Sequence, residues 1–203
     1  MPIMKNGREY RTLQDFALVP REGENDTYRV RGTAVVFNTP TCLYEYDGVK
    51  YYEVIDRHAF DECDMSDVIF NYNHGGKVVS RLRNKTLSLT IADRGLDMDA
   101  DLSGTVAGRE LYEEIDGGYI DKMSFSFSVR ESKYDSLTHT RTITKIKKLY
   151  DVSAVDIPAY NETSISARSF FEEEHSKEIK ALEQAARRRR LIARTRTYSN
   201  KKI

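Results

Sequence analysis

Apolar and polar residues alternate with a period of two along much of this chain, and that pattern predicts strands more often than helices. Leu87, Leu89 and Ile91 alternate with Ser88 and Thr90. After Asp93-Arg94-Gly95, the residues Leu96, Met98, Ala100 and Leu102 alternate with Asp97, Asp99 and Asp101. Two such runs around a glycine-bearing turn predict a β-hairpin. The β-branched stretch Tyr28–Phe37 predicts an earlier strand, with Gly32 a site for a bulge and Asn38-Thr39-Pro40 as its end. Residues 41–50 read as a loop. Tyr51–Ile55 then reads as a strand leading into a short helical piece around Ala59-Phe60. Two further short apolar runs are Val68–Asn73 and Val78–Leu82, with His74-Gly75-Gly76 between them.

Lys122–Val129 is the most regular alternation in the chain. Phe125, Phe127 and Val129 fall on one face of a strand, and Ser124, Ser126 and Ser128 on the other. Two readings fit this pattern. Either a half-buried strand turns serines to solvent, or an anchored strand presents a row of hydroxyls for chemistry. A polar turn near Tyr134-Asp135-Ser136 follows, then a Thr-rich return strand over Thr138–Ile146. Leu149–Val155 is the last apolar run, with Pro158 beyond it.

The period changes in two places. From Ser103 or Thr105 to Ile115, the residues Val106, Leu111 and Ile115 fall at near-helical spacing. Arg109, Glu110, Glu113 and Glu114 occupy the other face, and Asp116-Gly117-Gly118 is the stop. Glu172–Arg194 is rich in Ala, Leu, Glu, Gln and Arg and predicts a second helix. Residues 1–27 are polar and weakly patterned. The expected organisation is therefore an N-terminal extension over 1–27, a compact domain over 28–168 and a helical tail over 169–203. The fold class is α+β, dominated by strands.

Composition narrows the function classes only a little. The 203 residues carry 32 Lys+Arg and 32 Asp+Glu, so net charge implies no global electrostatic partner. The balance conceals a gradient: no acidic residue occurs after Ala185, whereas Arg187–Arg190, Arg194, Arg196, Lys201 and Lys202 do. A basic helix of this kind is drawn to nucleic acid or to an acidic protein surface, and it can equally be a solvated end. Any nucleic-acid contact is thus expected through the tail only. Cys42 and Cys63 are too few for a disulfide framework and are expected to be reduced thiols. No apolar leader follows Met1, and no run reaches the roughly 18 apolar residues of a membrane span. A soluble, intracellular protein is expected, without a membrane partner.

The absence of certain motifs removes several chemistries. The four histidines, His58, His74, His139 and His175, include no pair at helical metal-ligand spacing, and no CxxC occurs. Neither a Walker A loop nor GxGxxG is present, and there is no GxSxG elbow. No metal or cofactor is expected. Acyl transfer by serine remains, and it needs a base to take the hydroxyl proton and a third group to hold the imidazole. His74 stands at a strand end with open backbone beside it, as a loop histidine would as well. Asp151 is the one acid in the apolar run Leu149–Val155; it fits the third place, and it fits an edge-strand surface acid.

Five blocks in order carry a resemblance: Glu53-Val54-Ile55 with Ala59-Phe60, Asn73-His74, Arg94-Gly95-Leu96, Met123–Phe127, and Leu149–Ser153 with Pro158-Ala159. Over about residues 28–168 the chain resembles the tailed-phage (caudovirus) prohead maturation proteases, a family considered similar to the herpesvirus assemblins. The resemblance implies a small assemblin-like β-barrel with one or more helices. It implies a serine endopeptidase with Ser124 as nucleophile, His74 as general base and Asp151 as the third residue, where the family usually has glutamate. Ser126 stands where the family often has glycine, and the oxyanion donors would be backbone groups, with the loop near Ala159-Tyr160 a candidate. The implied substrates are scaffold or the scaffold-like segment of the major capsid protein, and the enzyme itself. The implied place is the host cytoplasm, inside the immature capsid, with a homodimer by analogy to assemblins. A non-enzymatic assembly or scaffolding protein, using the basic tail to bind partners, is the rival expectation.

Overall fold

The computed structural model describes residues 7–17, 19–20, 28–156 and 160–199. The chain divides into two compact units, Met1–Ser166 and Ala167–Ile203. Eleven strands and two helices are present among the described residues. The larger sheet has the order β1 (Glu9–Ala17), β10 (Lys122–Asp135), β11 (Thr140–Val155), β5 (Val49–Ile55), β4 (Thr41–Tyr46). β6 (Ile69–Tyr72) and β7 (Gly75–Arg81) branch from it, β6 pairing with β11. The smaller sheet runs β2 (Val19–Pro20), β3 (Arg29–Val36), β9 (Gly95–Asp101), β8 (Leu87–Ile91). The strand-dominated α+β class holds. The described strands fall into two sheets, and closure into one barrel is not seen among them.

One long strand organises the larger sheet. The two runs read separately as Thr138–Ile146 and Leu149–Val155 are a single strand, β11, antiparallel to β10 over most of its length. Several register shifts bend that ladder, as bulges do. The other edge of β11 is shared: Thr140–Ile143 pairs in parallel with β5, and Asp151–Ala154 pairs in parallel with β6. Asp151 is therefore on a strand flanked on both sides, not at a sheet edge. The β8–β9 hairpin has the expected alternation, with Leu96, Met98 and Ala100 buried.

The core sits where the apolar faces meet. Phe125 and Phe127 are buried and stacked with ring centroids 4.8 Å apart, among Phe70, Ile143, Ile146 and Val152. Burying such a side chain is worth about 1.5–3 kcal/mol. The serine face of β10 is buried too: Ser124 and Ser126 are 0 % exposed and Ser128 8 %. The half-buried strand with serines in solvent is thereby ruled out. β1 pairs antiparallel with β10 from Glu9↔Phe127 to Leu13↔Met123, which sets Tyr10 and Thr12 beside Ser126 and Ser124 on that face. Residues 9–17, read as part of a weakly patterned extension, are thus a strand of the larger sheet.

Smaller departures have local reasons. Residues 41–46, read as loop, form β4, paired to β5 alone, and an edge strand with polar side chains carries little alternation. The piece around Ala59-Phe60 is hydrogen-bonded turns, with Ala59 N–H donating to Asp56 O. Helix α1 (Val106–Asp116) begins on Thr105, whose hydroxyl accepts from Gly108 N–H, and ends at Gly117. Its buried face is Gly108, Leu111 and Ile115, while Val106 is exposed. Gly108 has to be small, because a Cβ there would lie 2.3 Å from the carbonyl oxygen of Leu102. Helix α2 (Tyr160–Ser199) is longer than the predicted 172–194, and its Arg187–Arg190 run is exposed. Neither described helix is long and apolar enough to cross a membrane. Cys42 and Cys63 are not joined in a disulfide.

Candidate active site

The tight turn from β6 to β7 delivers His74. Asn73 and His74 both have positive φ, 47° and 54°. Two consecutive non-glycine residues in the left-handed region are strained, at a cost of order 1–3 kcal/mol each. The surroundings hold them there. Asn73 N–H donates to Ala154 O at 2.9 Å, and Asn73 Nδ2 donates to Asp156 Oδ1 at 3.1 Å. Tyr72 OH donates to the other Asp156 oxygen at 2.6 Å. The backbone N–H of His74 donates to Ser153 Oγ at 3.3 Å. The strained turn aims the imidazole back across the ends of β11 and β10.

Two ladder positions on those strands meet the ring. Ser124 lies opposite Ser153 and Ser126 opposite Asp151 in the β10–β11 register. Asp151 Oδ1 accepts from His74 Nδ1 at 2.5 Å, and His74 Nε2 is 2.6 Å from Ser124 Oγ. Residues separated by 77 and 50 positions in sequence thus form one chain of hydrogen bonds. A carboxylate on Nδ1–H fixes the tautomer that leaves the Nε2 lone pair facing the hydroxyl. The side chains of His74 and Asp151 are 12 % and 4 % exposed, so both interactions work in a low dielectric.

All three residues singled out in the sequence come together here. The other histidines are engaged elsewhere or lie outside this cluster. His58 pairs with Asp61 in the open, and His139 Nδ1 meets Tyr134 OH at 3.2 Å. Ser126 is buried, but its Oγ has no hydrogen-bond partner, so the base faces Ser124 and not Ser126. The oxyanion expectation falls partly on Ala159, which lies outside the described residues.

Three residues of the site escaped the sequence reading. Ser153 Oγ stands 3.0 Å from Asp151 Oδ1, 3.1 Å from His74 Nδ1, and also bonds Asn71 Oδ1. The i, i+2 spacing of Asp151 and Ser153 puts both on one face of β11, and that spacing was the available signal. Tyr10 packs its ring edge-on against His74 at 4.7 Å between centroids. Asn71 and Tyr10 carried no signal of their own.

The nucleophile candidate has a second contact. Ser124 Oγ also lies 2.9 Å from the backbone carbonyl of Arg11 in β1, a second acceptor for its single proton. β1 is fixed by a buried cluster of four charges. Arg11 forks onto Glu53, Nε to Oε1 at 2.5 Å and an NH2 group to Oε2 at 2.8 Å. It also reaches Glu9 at 2.6 Å, and Arg141 holds Glu9 at 2.8 and 3.0 Å. Arg141 and Glu53 are 3.2 Å apart. Burial raises the Glu9 pKa, but the Arg11 and Arg141 guanidiniums outweigh it and hold the carboxyl below its ordinary 4.5. The resulting stability is complete above about pH 4.5 and is lost as pH falls through the lower folded-state value. Thermal melts from pH 6 to pH 3 should therefore show a falling Tm that is shallower in Glu9→Gln. Equal slopes would remove Glu9 from the linkage.

No curated protein and no solved structure shows a significant match to this chain. Residues 15–178 match the caudovirus prohead serine proteases, a span that contains His74, Ser124 and Asp151. A match over that much of the sequence decides the family: this chain belongs to the caudovirus prohead serine proteases.

Proposed function

We propose that the protein is a serine endopeptidase of capsid maturation in which Ser124 is the nucleophile, His74 the general base and Asp151 the residue that orients the imidazole. The observation that carries this reading is the 2.6 Å contact between His74 Nε2 and Ser124 Oγ, with the Asp151 carboxylate behind Nδ1. Attack forms the Oγ–C bond to the scissile carbonyl as the hydroxyl proton moves to Nε2. Collapse of the tetrahedral oxyanion breaks the C–N bond, and Nε2–H gives its proton to the departing amine. Water then attacks the ester with the same imidazole as base, releasing Ser124. Asp151 stabilises the imidazolium in both halves.

Family membership gives the setting, the immature capsid of a tailed phage, and makes capsid proteins the substrate class. Within that class the reading names scaffold, or the scaffold-like segment of the major capsid protein, and the protease itself. Residues 28–168 form the working domain with β1 added to it. The exposed basic run Arg187–Arg190 docks the enzyme on the capsid interior. Co-expression with the major capsid protein, followed by intact-mass spectrometry, tests this. A shortened capsid protein with wild-type enzyme is the expected result. Full-length capsid protein in mature-sized particles would favour a scaffolding protein that performs no chemistry.

A further inference from the structure

Ser124 is 0 % exposed, and what lies on it is backbone from the same chain. β1 pairs with the edge of β10 that carries the serine, Thr12 opposite Ser124. The Arg11 carbonyl meets the hydroxyl through its oxygen. Nucleophilic attack needs the opposite orientation, with Oγ on the carbonyl carbon and the oxygen turned away toward hydrogen-bond donors. A hydroxyl has one proton, and when Arg11 O accepts it His74 Nε2 cannot. β1 is thus seated like a peptide strand on the nucleophile, in an arrangement that neither reacts nor lets another peptide in.

We propose that β1 is an internal stand-in for substrate, and that it leaves the edge of β10 so that a peptide with an acid-x-base pattern can take its place against Arg141 and Glu53. This rests on the catalytic reading of Ser124. Charge makes the exchange feasible. The buried cluster separates into two neutral halves, Glu9 with Arg11 on β1, and Glu53 with Arg141 on the body. Departure of β1 therefore strands no unpaired charge, the outcome that makes breaking a buried ion pair costly. An incoming strand that repeats Glu9-Tyr10-Arg11 in charge replaces the half that β1 carried away and pairs with the half that stayed. Glu53 would receive the basic side chain and Arg141 the acidic one, which makes them specificity-determining residues.

The seat is also imperfectly filled by its present occupant. Thr12 Oγ1 and Ser126 Oγ are buried without hydrogen-bond partners. Each such group costs about 1–3 kcal/mol. A cavity of about 40 Å³ lies beside the strand, lined by residues that include Arg11, Thr12, Glu53 and Phe125. A strand whose seat leaves two side-chain hydroxyls unpaired and a cavity beside it is suited to exchange.

The test measures how fast a fluorophosphonate probe labels Ser124, by intact mass and peptide mapping. The full chain is compared with the double variant Glu9→Ala/Arg11→Ala, with amide hydrogen exchange over Met123–Phe127 recorded in both. Labelling follows the open fraction, so the variant should label at least about tenfold faster and exchange faster over β10. A peptide of the sequence of residues 7–14 added in trans should slow the variant's labelling, and the same peptide with its acid and base interchanged should not. Equal labelling of both proteins overturns the inference while leaving the serine reactive. Equal protection by both peptides overturns the charge readout. Labelling in neither, with faster exchange in the variant, keeps the displacement and defeats the catalytic reading. Unchanged exchange and no labelling defeats both. Where the double variant loses its cooperative melt, Glu9→Gln takes its place, with the same outcomes.

Discussion

Ser124→Ala should lower kcat on a capsid-protein substrate by about 10⁴–10⁶-fold, because removing the nucleophile of a working triad costs about as much as removing all of it. KM should change little, since the hydroxyl contributes nothing to binding the rest of a peptide. The substitution removes a side chain that donates to Arg11 O and faces His74 Nε2. Two buried polar groups lose a partner, so a Tm lower by a few degrees is expected, with the fold retained. Cleavage assayed by gel and mass spectrometry, beside a melt of the same sample, separates loss of chemistry from loss of structure. Undiminished cleavage in a folded variant would exclude Ser124 and turn attention to Ser126, the neighbouring buried hydroxyl.

Asp151→Asn should cost about 10⁴-fold in kcat while leaving the side-chain volume almost unchanged. An amide placed at 2.5 Å from His74 Nδ1 can present N–H instead of an acceptor. The ring proton then moves to Nε2, the one atom that must be free to accept from Ser124. Asp151→Glu discriminates a role in charge and tautomer from a role in packing. It restores the carboxylate, at the cost of one methylene in a buried position, and should recover part of the lost rate. Ser153 is the gauge of how much tolerance there is, since its hydroxyl touches Asp151, His74 and Asn71 together. Asn and Glu variants with the same residual rate would mean that Asp151 acts only through the packing of β11.

Much of this site could be read before any coordinates, and the reason is physical. The alternation in Lys122–Val129 fixes which residues share a face whatever the tertiary structure. A histidine between an apolar strand and two glycines is placed at a strand end by the same local logic. What could not be read is what depends on distant partners. β1 escaped because Glu9 and Arg11 look like solvent residues. They are buried only because Glu53 and Arg141, 42 and 132 positions away, complete the charge cluster. The place of Tyr10 and Thr12 beside the serines of β10 was hidden with it. Asp151 could have been a surface acid at an edge until the shared edge of β11 placed it between β10 and β6. The barrel was inferred by resemblance, and strand pattern alone does not say whether sheets close.

The burial of Ser124 bears directly on mechanism. On the proposed catalytic reading, a hydroxyl whose proton is held by the Arg11 carbonyl is not available to the base. The same proton that Arg11 O accepts is the one His74 needs, so coverage and deprotonation exclude each other at one atom. In the proposed exchange, activation requires no rearrangement of His74 and Asp151, only the departure of one strand.

In the proposed mechanism a proton passes from Ser124 to His74 as an acyl group arrives on the serine. Rapid mixing with an activated ester of a capsid-derived peptide, quenched in acid and mapped by mass spectrometry, tests it most directly. One equivalent of acyl group in ester linkage on Ser124 is expected, formed far more slowly in His74→Ala. Hydrolysis that proceeds with the acyl group on another residue, or with Ser124 acylated as fast without His74, would contradict it.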